Sequence, residues 1–280
     1  MEEDRDPFVN FQEILRLKRY APKTIASYGY MLKLYRDELK VVNINHFDYQ
    51  RTIRAIITIN EEKKFSRSSQ KQLIGAVTLF YKEILHQNIN LSAIYPTRKK
   101  HFIPQILAKE EVKNIIVKTK NLKHKTMLMT CYGLGLRRSE VLDLRINDID
   151  GGRRLVHIKN AKGNKDRIVP ISEKLLVLLR EYYSAYKPRG YLFYGIKHDR
   201  YSETSFRNVF TQACKRANIR KNVTIHSLRH AYATHLMDNG TDIRLIQELL
   251  GHNSIKTTMQ YTHVTTRSIQ NVRNPLDDWG

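Results

Sequence analysis

The chain is predicted to be mainly α-helical, with a small antiparallel β-sheet in the second of two domains. Three observations support this fold class. Apolar residues recur at three- and four-residue steps through most of the 280 residues, as in amphipathic helices. Two short β-rich segments flank a turn that contains Gly163 and Asn164. The periodicity stops between residues 95 and 104, where a proline precedes a run of cations.

The first domain is predicted to be a bundle of four helices. Asp6 and Pro7 supply an N-cap and a first-turn proline for the first helix. The apolar pattern of the second helix follows Pro22, and a third pattern follows in the next segment. The fourth helix is expected behind Ser66 or Ser68.

The second domain is predicted to combine helices with a β-hairpin. One helix opens after Leu107, and the apolar run from Met127 to Leu136 is interpreted as buried. Helices resume behind Ser172 and Ser202. The two predicted strands span residues 153–159 and 167–171.

These patterns predict a helical domain at residues 1–95, a basic linker at 96–104 and a second domain at 105–280. The linker would suit a chain that passes beside a phosphate backbone, although a solvated surface loop explains it equally well. Its consecutive cations are Arg98, Lys99 and Lys100.

The charge balance points to nucleic acid as the partner. Lys and Arg total 49 against 27 Asp and Glu, giving a formal net charge of +22, and 41% of the residues are hydrophobic. This describes a folded, strongly basic protein. RNA-binding proteins share such a balance, so charge indicates the class of partner and no more.

The remaining composition indicates a cytoplasmic protein. Cys131 and Cys214 are the only cysteines, which excludes a disulfide framework and favours two buried apolar fillers. No run of about 18 apolar residues is present to span a bilayer. The acidic start, residues 1–4, lacks the features of a signal peptide.

Arginines and histidines are spaced in a way that suits an anion site. His226 and Arg229 are three residues apart and would share one face of a helix. The planar fork of arginine matches phosphate oxygens. Arg137 follows a core-like segment, which predicts a semi-buried arginine that needs an anion. The alternative for Arg137 is an ion pair with Glu140.

Tyr261 is the candidate nucleophile of such a site. It lies nine residues after His252, with Gly251 expected to end one helix and Ser254 expected to cap the next. A tyrosine hydroxyl has a pKa of about 10, so attack on phosphorus at neutral pH requires a proton acceptor or a strongly cationic pocket. The arginines and histidines would supply that pocket.

A metal site is the main alternative for this segment. His226 and His230 are four residues apart and could ligate zinc from one helical face. The metalloprotease pattern requires Glu after the first His, where this chain has Ser227, and no cysteine or carboxylate cluster completes a ligand set. No P-loop pattern is evident either. We therefore expect no metal and no cofactor.

Five motifs occur in order: Gly-Leu-Arg-Arg-Ser-Glu at 135–140, Lys-Gly-Asn-Lys-Asp-Arg at 162–167, His-Ser-Leu-Arg at 226–229, Leu-Gly-His at 250–252 and Tyr-Thr-His at 261–263. Together they resemble the tyrosine recombinase, or phage integrase, family. The size and compact layout of the chain most resemble the Xer-type recombinases and short mobile-element integrases of that family. The resemblance implies a two-domain DNA clamp, in which a helical core-binding domain joins a mixed α+β catalytic domain.

The resemblance implies a role for each matched residue. Arg137 and Arg229 would hold the non-bridging oxygens of the scissile phosphate. His226 and His252 would add hydrogen bonds, with His226 the preferred proton acceptor from Tyr261.

The resemblance also implies roles for Lys162, in the hairpin turn, and for Glu140. Lys162 aligns with the family lysine that protonates the departing 5′ oxygen, and Glu140 matches a position that is often acidic and orients its neighbours. Arg138 and Lys165 are candidate DNA contacts beside these motifs, as are the linker cations.

The predicted function is site-specific DNA recombination through a 3′-phosphotyrosyl intermediate, without metal or ATP. The expected partners are double-stranded DNA and further copies of the chain, with a dimer on each site and a tetramer in synapsis, together with an accessory or partner recombinase. A C-terminal tail after Tyr261 either docks on a neighbouring protomer or packs on its own domain. Two alternatives remain: a type IB topoisomerase-like relaxing enzyme and a non-cutting DNA-binding regulator.

Overall fold

Helices dominate the described part of the chain, and a small antiparallel sheet accompanies them, so the predicted fold class is confirmed. By internal contacts the chain divides into two compact units, residues 1–102 and 103–280. The computed structural model describes residues 6–40, 46–97, 105–159, 166–196 and 199–259.

The described residues of the first unit form four α-helices around one apolar core. Asp6 accepts a hydrogen bond from the backbone of Phe8, and Pro7 opens the first helix, as predicted. Ser66, not Ser68, caps the fourth helix through the backbone N–H of Ser69. The helices are α1 (Pro7–Leu17), α2 (Pro22–Leu39), α3 (Tyr49–Glu62) and α4 (Arg67–Ile84).

In its described residues, the second unit combines α-helices with a three-stranded antiparallel sheet. Its helices are α5 (Lys109–Val117), α6 (Leu122–Gly133), α7 (Arg138–Asp143), α8 (Glu173–Tyr186), α9 (Glu203–Arg216), α10 (Ile225–Asp238), α11 (Ile243–Leu250) and α12 (Ile255–Met259). Its strands are β1 (Ile149–Asp150), β2 (Leu155–Ile158) and β3 (Arg167–Pro170).

The sheet has the order β1-β2-β3, with both pairs antiparallel. β2 and β3 are shorter than the predicted strands, and β1 was not predicted because two residues are too few to show an alternating pattern. Ile158 pairs with Arg167, and Val156 pairs with Val169. This register turns Arg167 and Val169 inward, while Ile168 is 49% exposed.

The turn after α6 sets the position of Arg137. Gly135 adopts a left-handed backbone conformation with φ +61°, and the N–H of Leu136 bonds the carbonyl of Cys131 at 3.0 Å. This turn ends α6 and places Arg137 at the N-cap of α7. Arg137 therefore directly precedes a helix.

The cysteines are free and buried, as predicted. Burial raises the pKa of the Cys131 thiol to about 12 and that of Cys214 to about 11, so both thiols stay protonated and unreactive at neutral pH. Within the described ranges, we find no helix with the length and apolar character needed to cross a bilayer.

Replacing Gly135 with alanine should destabilise the second unit by about 2–5 kcal/mol. The left-handed conformation costs an L-residue about 1–2 kcal/mol. The added Cβ would also lie 2.3 Å from Cδ1 of Tyr232, and such overpacking costs about 1–3 kcal/mol.

Gly240→Ala is the matched control for this substitution. Gly240 has φ +83° with nothing within 4 Å of the added Cβ, so only the backbone cost of about 1–2 kcal/mol applies. Urea unfolding of both variants measures the difference. If both variants lose the same free energy of unfolding, the Tyr232 ring moves away from the added Cβ without an energetic cost.

Candidate active site

A single buried carboxylate, that of Glu140, binds three arginines. Arg137 donates its backbone N–H to Oε2 at 2.8 Å and its Nη1 to Oε1 at 2.6 Å. Arg167 forms a two-pronged pair, with Nη1 at 2.9 Å from Oε1 and Nη2 at 2.8 Å from Oε2. Nη1 of Arg229 lies 3.6 Å from Oε2. The ion pair considered for Arg137 and Glu140 therefore exists, as part of a larger cluster.

The same three arginines bind the C-terminal end of α11. Backbone carbonyls at a helix end have no partner within the helix, and they carry the negative end of the helix dipole. Three successive carbonyls are satisfied here by one arginine each. The bonds run from Arg167 Nε to Leu249 at 2.7 Å, from Arg229 Nη2 to Leu250 at 2.5 Å and from Arg137 Nη2 to Gly251 at 3.0 Å.

Gly251 makes this convergence possible by ending α11. It adopts the left-handed conformation with φ 63°, as the sequence predicts for a helix-ending glycine. A Cβ at this position would lie 3.1 Å from Cδ of Arg167, which is tight. The chain then turns away from the helix, so that His252 comes directly after the carbonyls that the arginines bind.

The Glu140 carboxylate remains charged in this surrounding. Burial raises the pKa of the carboxyl, but the hydrogen bonds and charge of Arg167, the backbone N–H of Arg137 and the charge of Arg229 outweigh burial and bring it to about 2. One negative charge thus faces three positive ones. The excess of two positive charges within this group makes the cluster suited to an additional anion.

Three histidines lie beside the arginines. His226 and His230, on α10, have ring centroids 4.3 Å apart in an edge-to-face arrangement. Nδ1 of His252 lies 2.9 Å from Oγ1 of the buried Thr258 in α12. This hydrogen bond fixes the orientation of the His252 ring relative to the helix that precedes Tyr261.

These histidines are neutral at neutral pH. Desolvation, followed by the charges of Arg229 and Arg137, lowers the pKa of His226. Burial and the charge of His226 bring the pKa of His230 to about 4, and burial and the charge of Arg229 bring that of His252 to about 4. An unprotonated imidazole can accept a proton, which an imidazolium cannot.

The structure brings four of the predicted site residues together. Arg137, His226, Arg229 and His252 share one electrostatic environment, because the charges of both arginines act on both histidines. Arg229 is fully buried, whereas His226 is exposed.

Of the other predicted site residues, Arg138 is the one that the structure describes. Arg138 is 42% exposed and forms an ion pair with Glu203 on α9. The remaining predicted residues lie outside the described residues: Lys162, Tyr261, Arg98, Lys99, Lys100 and Lys165.

Two residues of the site escaped the sequence-based prediction. Arg167 ends the motif at 162–167, and the sequence predicts no role for it. The signal for its role is its place as the first residue of β3, on the same inward face as Val169. Thr258 carries no sequence signal beyond its place three residues before Tyr261. Among the described residues we find no group of three or more His, Cys, Asp or Glu side chains that could hold a metal ion.

Comparison with known proteins agrees with this fold. Residues 105–268 match the model of the phage integrase family. Tyrosine recombinase XerA of Thermococcus onnurineus strain NA1 is 30% identical over 279 residues, which cover 96% of this chain and 95% of the relative.

Two solved structures extend the likeness to three dimensions. A crystal structure of XerA recombinase has a TM-score of 0.56 at 28% identity and covers 96% of each chain. The crystal structure of a lambda integrase dimer bound to a COC′ core site has a TM-score of 0.73, covering 90% of this chain and 95% of that one. At 17% identity, this second likeness shows the fold alone.

The fold and its relatives define a site-specific recombinase of the tyrosine type. The chain belongs to the phage integrase family, and within it is Xer-like.

The free energy of unfolding should fall as the pH drops from about 6.5 to 4. The pKa values of His230 and His252 lie near 4 in the folded protein and near 6.5 in the unfolded chain, so the unfolded chain binds more protons in this window. Below about 4.5, protonation of Glu140 in the unfolded chain adds a further loss, since its folded pKa is about 2.

Urea unfolding at pH 7 and pH 5, followed by circular dichroism, measures this dependence. His230→Gln and His252→Gln should each flatten it. A wild-type stability that is constant from pH 7 to 5 would contradict the lowered histidine pKa values.

Proposed function

We propose that this chain cleaves and rejoins DNA strands at specific sites by forming a 3′-phosphotyrosyl bond through Tyr261. The observation that carries the proposal is the arginine cluster on Glu140. It gathers Arg137 and Arg229 with an excess of positive charge beside two neutral histidines. Such a cluster suits a phosphate whose charge increases during reaction.

The arginines supply electrostatic stabilisation. As the phosphorus becomes five-coordinate, negative charge grows on its non-bridging oxygens, and preorganised cations stabilise that state more than the ground state. Arg137 and Arg229 are held in advance by Glu140 and by the α11 carbonyls. Little reorganisation is then needed when the phosphate enters.

The proton transfers involve one residue on each side of the phosphorus. The Tyr261 oxygen attacks phosphorus while its proton passes to the neutral imidazole of His226, and the bond to the 5′ oxygen breaks as Lys162 protonates that oxygen. The lowered pKa of His226 supports its role as acceptor. His252 adds a hydrogen bond to the phosphate.

One phosphodiester is exchanged for another in this step, so the bond energy is conserved and no ATP is required. The free 5′ hydroxyl of a second strand reverses the reaction onto a new partner. The proposed chemistry uses protein side chains alone.

The proposed partners are duplex DNA at specific sites and further copies of this chain. The net charge of +22 supports a polyanionic partner, and the lambda integrase of similar fold is a dimer on its core site. We propose a dimer on each site and a tetramer in synapsis, with the C-terminal tail linking protomers and a second recombinase as an additional partner. The first unit, the basic linker and Arg138 would contact DNA in the cytoplasm.

Covalent capture on a nicked duplex tests the proposal. A nick just beyond the scissile phosphate releases a short fragment after attack and traps the protein on DNA. With duplexes from its own genomic neighbourhood, the wild type should form an adduct that survives denaturing electrophoresis, and Tyr261→Phe should not.

Tyr194→Phe is the matched control, since the Tyr194 hydroxyl bonds the carbonyl of Tyr186 and belongs to no part of the site. An adduct that persists in Tyr261→Phe would remove Tyr261 as nucleophile. Joining of two sites, as opposed to relaxation of supercoils alone, separates a recombinase from a topoisomerase-like enzyme.

A further inference from the structure

The described hydrogen bonds of the Arg167 guanidinium are with Glu140 and with the C-terminal end of α11. Two nitrogens bind both oxygens of Glu140 at 2.8 and 2.9 Å, and the third, Nε, binds the carbonyl of Leu249 at 2.7 Å. The residue is 8% exposed. An arginine placed in this way can support the site through its neighbours.

These three bonds join three elements, two of which directly adjoin proposed catalytic residues. Glu140 lies in the first turn of α7, three residues after the N-cap residue Arg137. Leu249 lies in the last turn of α11, which precedes His252. Arg167 itself is the first residue of β3. The guanidinium therefore connects β3, α7 and the end of α11 at one point.

Arg167 also reduces the electrostatic attraction that Glu140 exerts on Arg137 and Arg229. The Arg167 fork binds both oxygens of the carboxylate, which Arg137 also contacts, in a planar arrangement that lysine cannot reproduce. If the fork were lost, the full negative charge of Glu140 would act on Arg137 and Arg229. The carboxylate would then compete with the phosphate for these two cations.

We propose that Arg167 is a positioning residue, which holds Glu140 and the end of α11 so that Arg137 and Arg229 remain available to the scissile phosphate. This inference rests on the proposed function. It assigns to Arg167 an action through Glu140 and no contact with the reacting atoms.

The first test is single-turnover cleavage of a nicked duplex by Arg167→Lys. This variant keeps the positive charge and loses the fork. Its cleavage rate should fall roughly 10- to 100-fold, the loss typical when an outer partner of a functional group is removed, while affinity for the duplex changes little. The matched control is Arg153→Lys. The side chain of Arg153 is 82% exposed, and its Nε lies 3.8 Å from Oδ2 of Asp150, beside the same sheet. An unchanged rate in Arg167→Lys would overturn the proposal.

A DNA substrate with an uncharged scissile group then distinguishes a positioning role of Arg167 from a general loss of folded protein. Replacing one non-bridging oxygen of the scissile phosphate with methyl removes its negative charge, so correctly placed arginines matter less. The ratio of the rates on phosphate and methylphosphonate, measured within one protein preparation, is independent of the folded fraction. Arg167→Lys should lower this ratio relative to wild type. An unchanged ratio would mean that Arg167 supports folding only.

A double-mutant cycle identifies the route of action. If Arg167 acts through Glu140, then Arg167→Lys should reduce the rate much less in a Glu140→Gln background than in wild type. Independent, multiplicative losses would overturn the assigned route. If the wild type itself forms no adduct on either substrate, the proposed function fails; if the wild type cleaves and only these comparisons fail, the positioning role alone is wrong.

Discussion

The interaction on which the site depends is the contact between the Glu140 carboxylate and three arginines. Three guanidinium groups brought together in a partly buried place repel each other, and without a counter-charge they would be costly to assemble. Glu140 offsets that repulsion and supplies a fixed reference point for Arg137, Arg167 and Arg229. Because it provides only one negative charge, the cluster keeps a surplus for an anionic substrate.

The end of α11 is the second half of the same arrangement. Its last carbonyls have no partners within the helix, and each of them binds one of the arginines. The helix end is thereby satisfied, and the arginines are oriented by backbone groups that cannot rotate away. Gly251 then redirects the chain, and the bond between His252 and Thr258 connects the site to α12. The site is thus built from backbone geometry as much as from side chains.

The sequence predicted what depends on local chemistry. Asp6 and Gly251 mark a helix start and a helix end because capping follows from a few neighbouring residues. The spacing of His226 and Arg229 correctly predicted their proximity. It could not predict that Arg229 is fully buried while His226 is exposed, because burial depends on the elements that pack against α10.

The features that escaped prediction depend on tertiary contacts. Arg167 resembles an exposed hairpin residue beside the apolar Ile168, and only the sheet register reveals that the arginine faces inward. For Arg137, the sequence predicts either a bound anion or an ion pair with Glu140. The structure combines the two, since Glu140 neutralises part of a larger cationic group.

A carbon NMR titration of the Glu140 carboxyl in the DNA-free protein tests this account most directly. If three arginines hold the carboxylate, its pKa is about 2, and its chemical shift should stay constant from pH 7 down to about 4. A titration midpoint near 4.5, the ordinary value for a glutamate, would show that the arginines do not converge on Glu140.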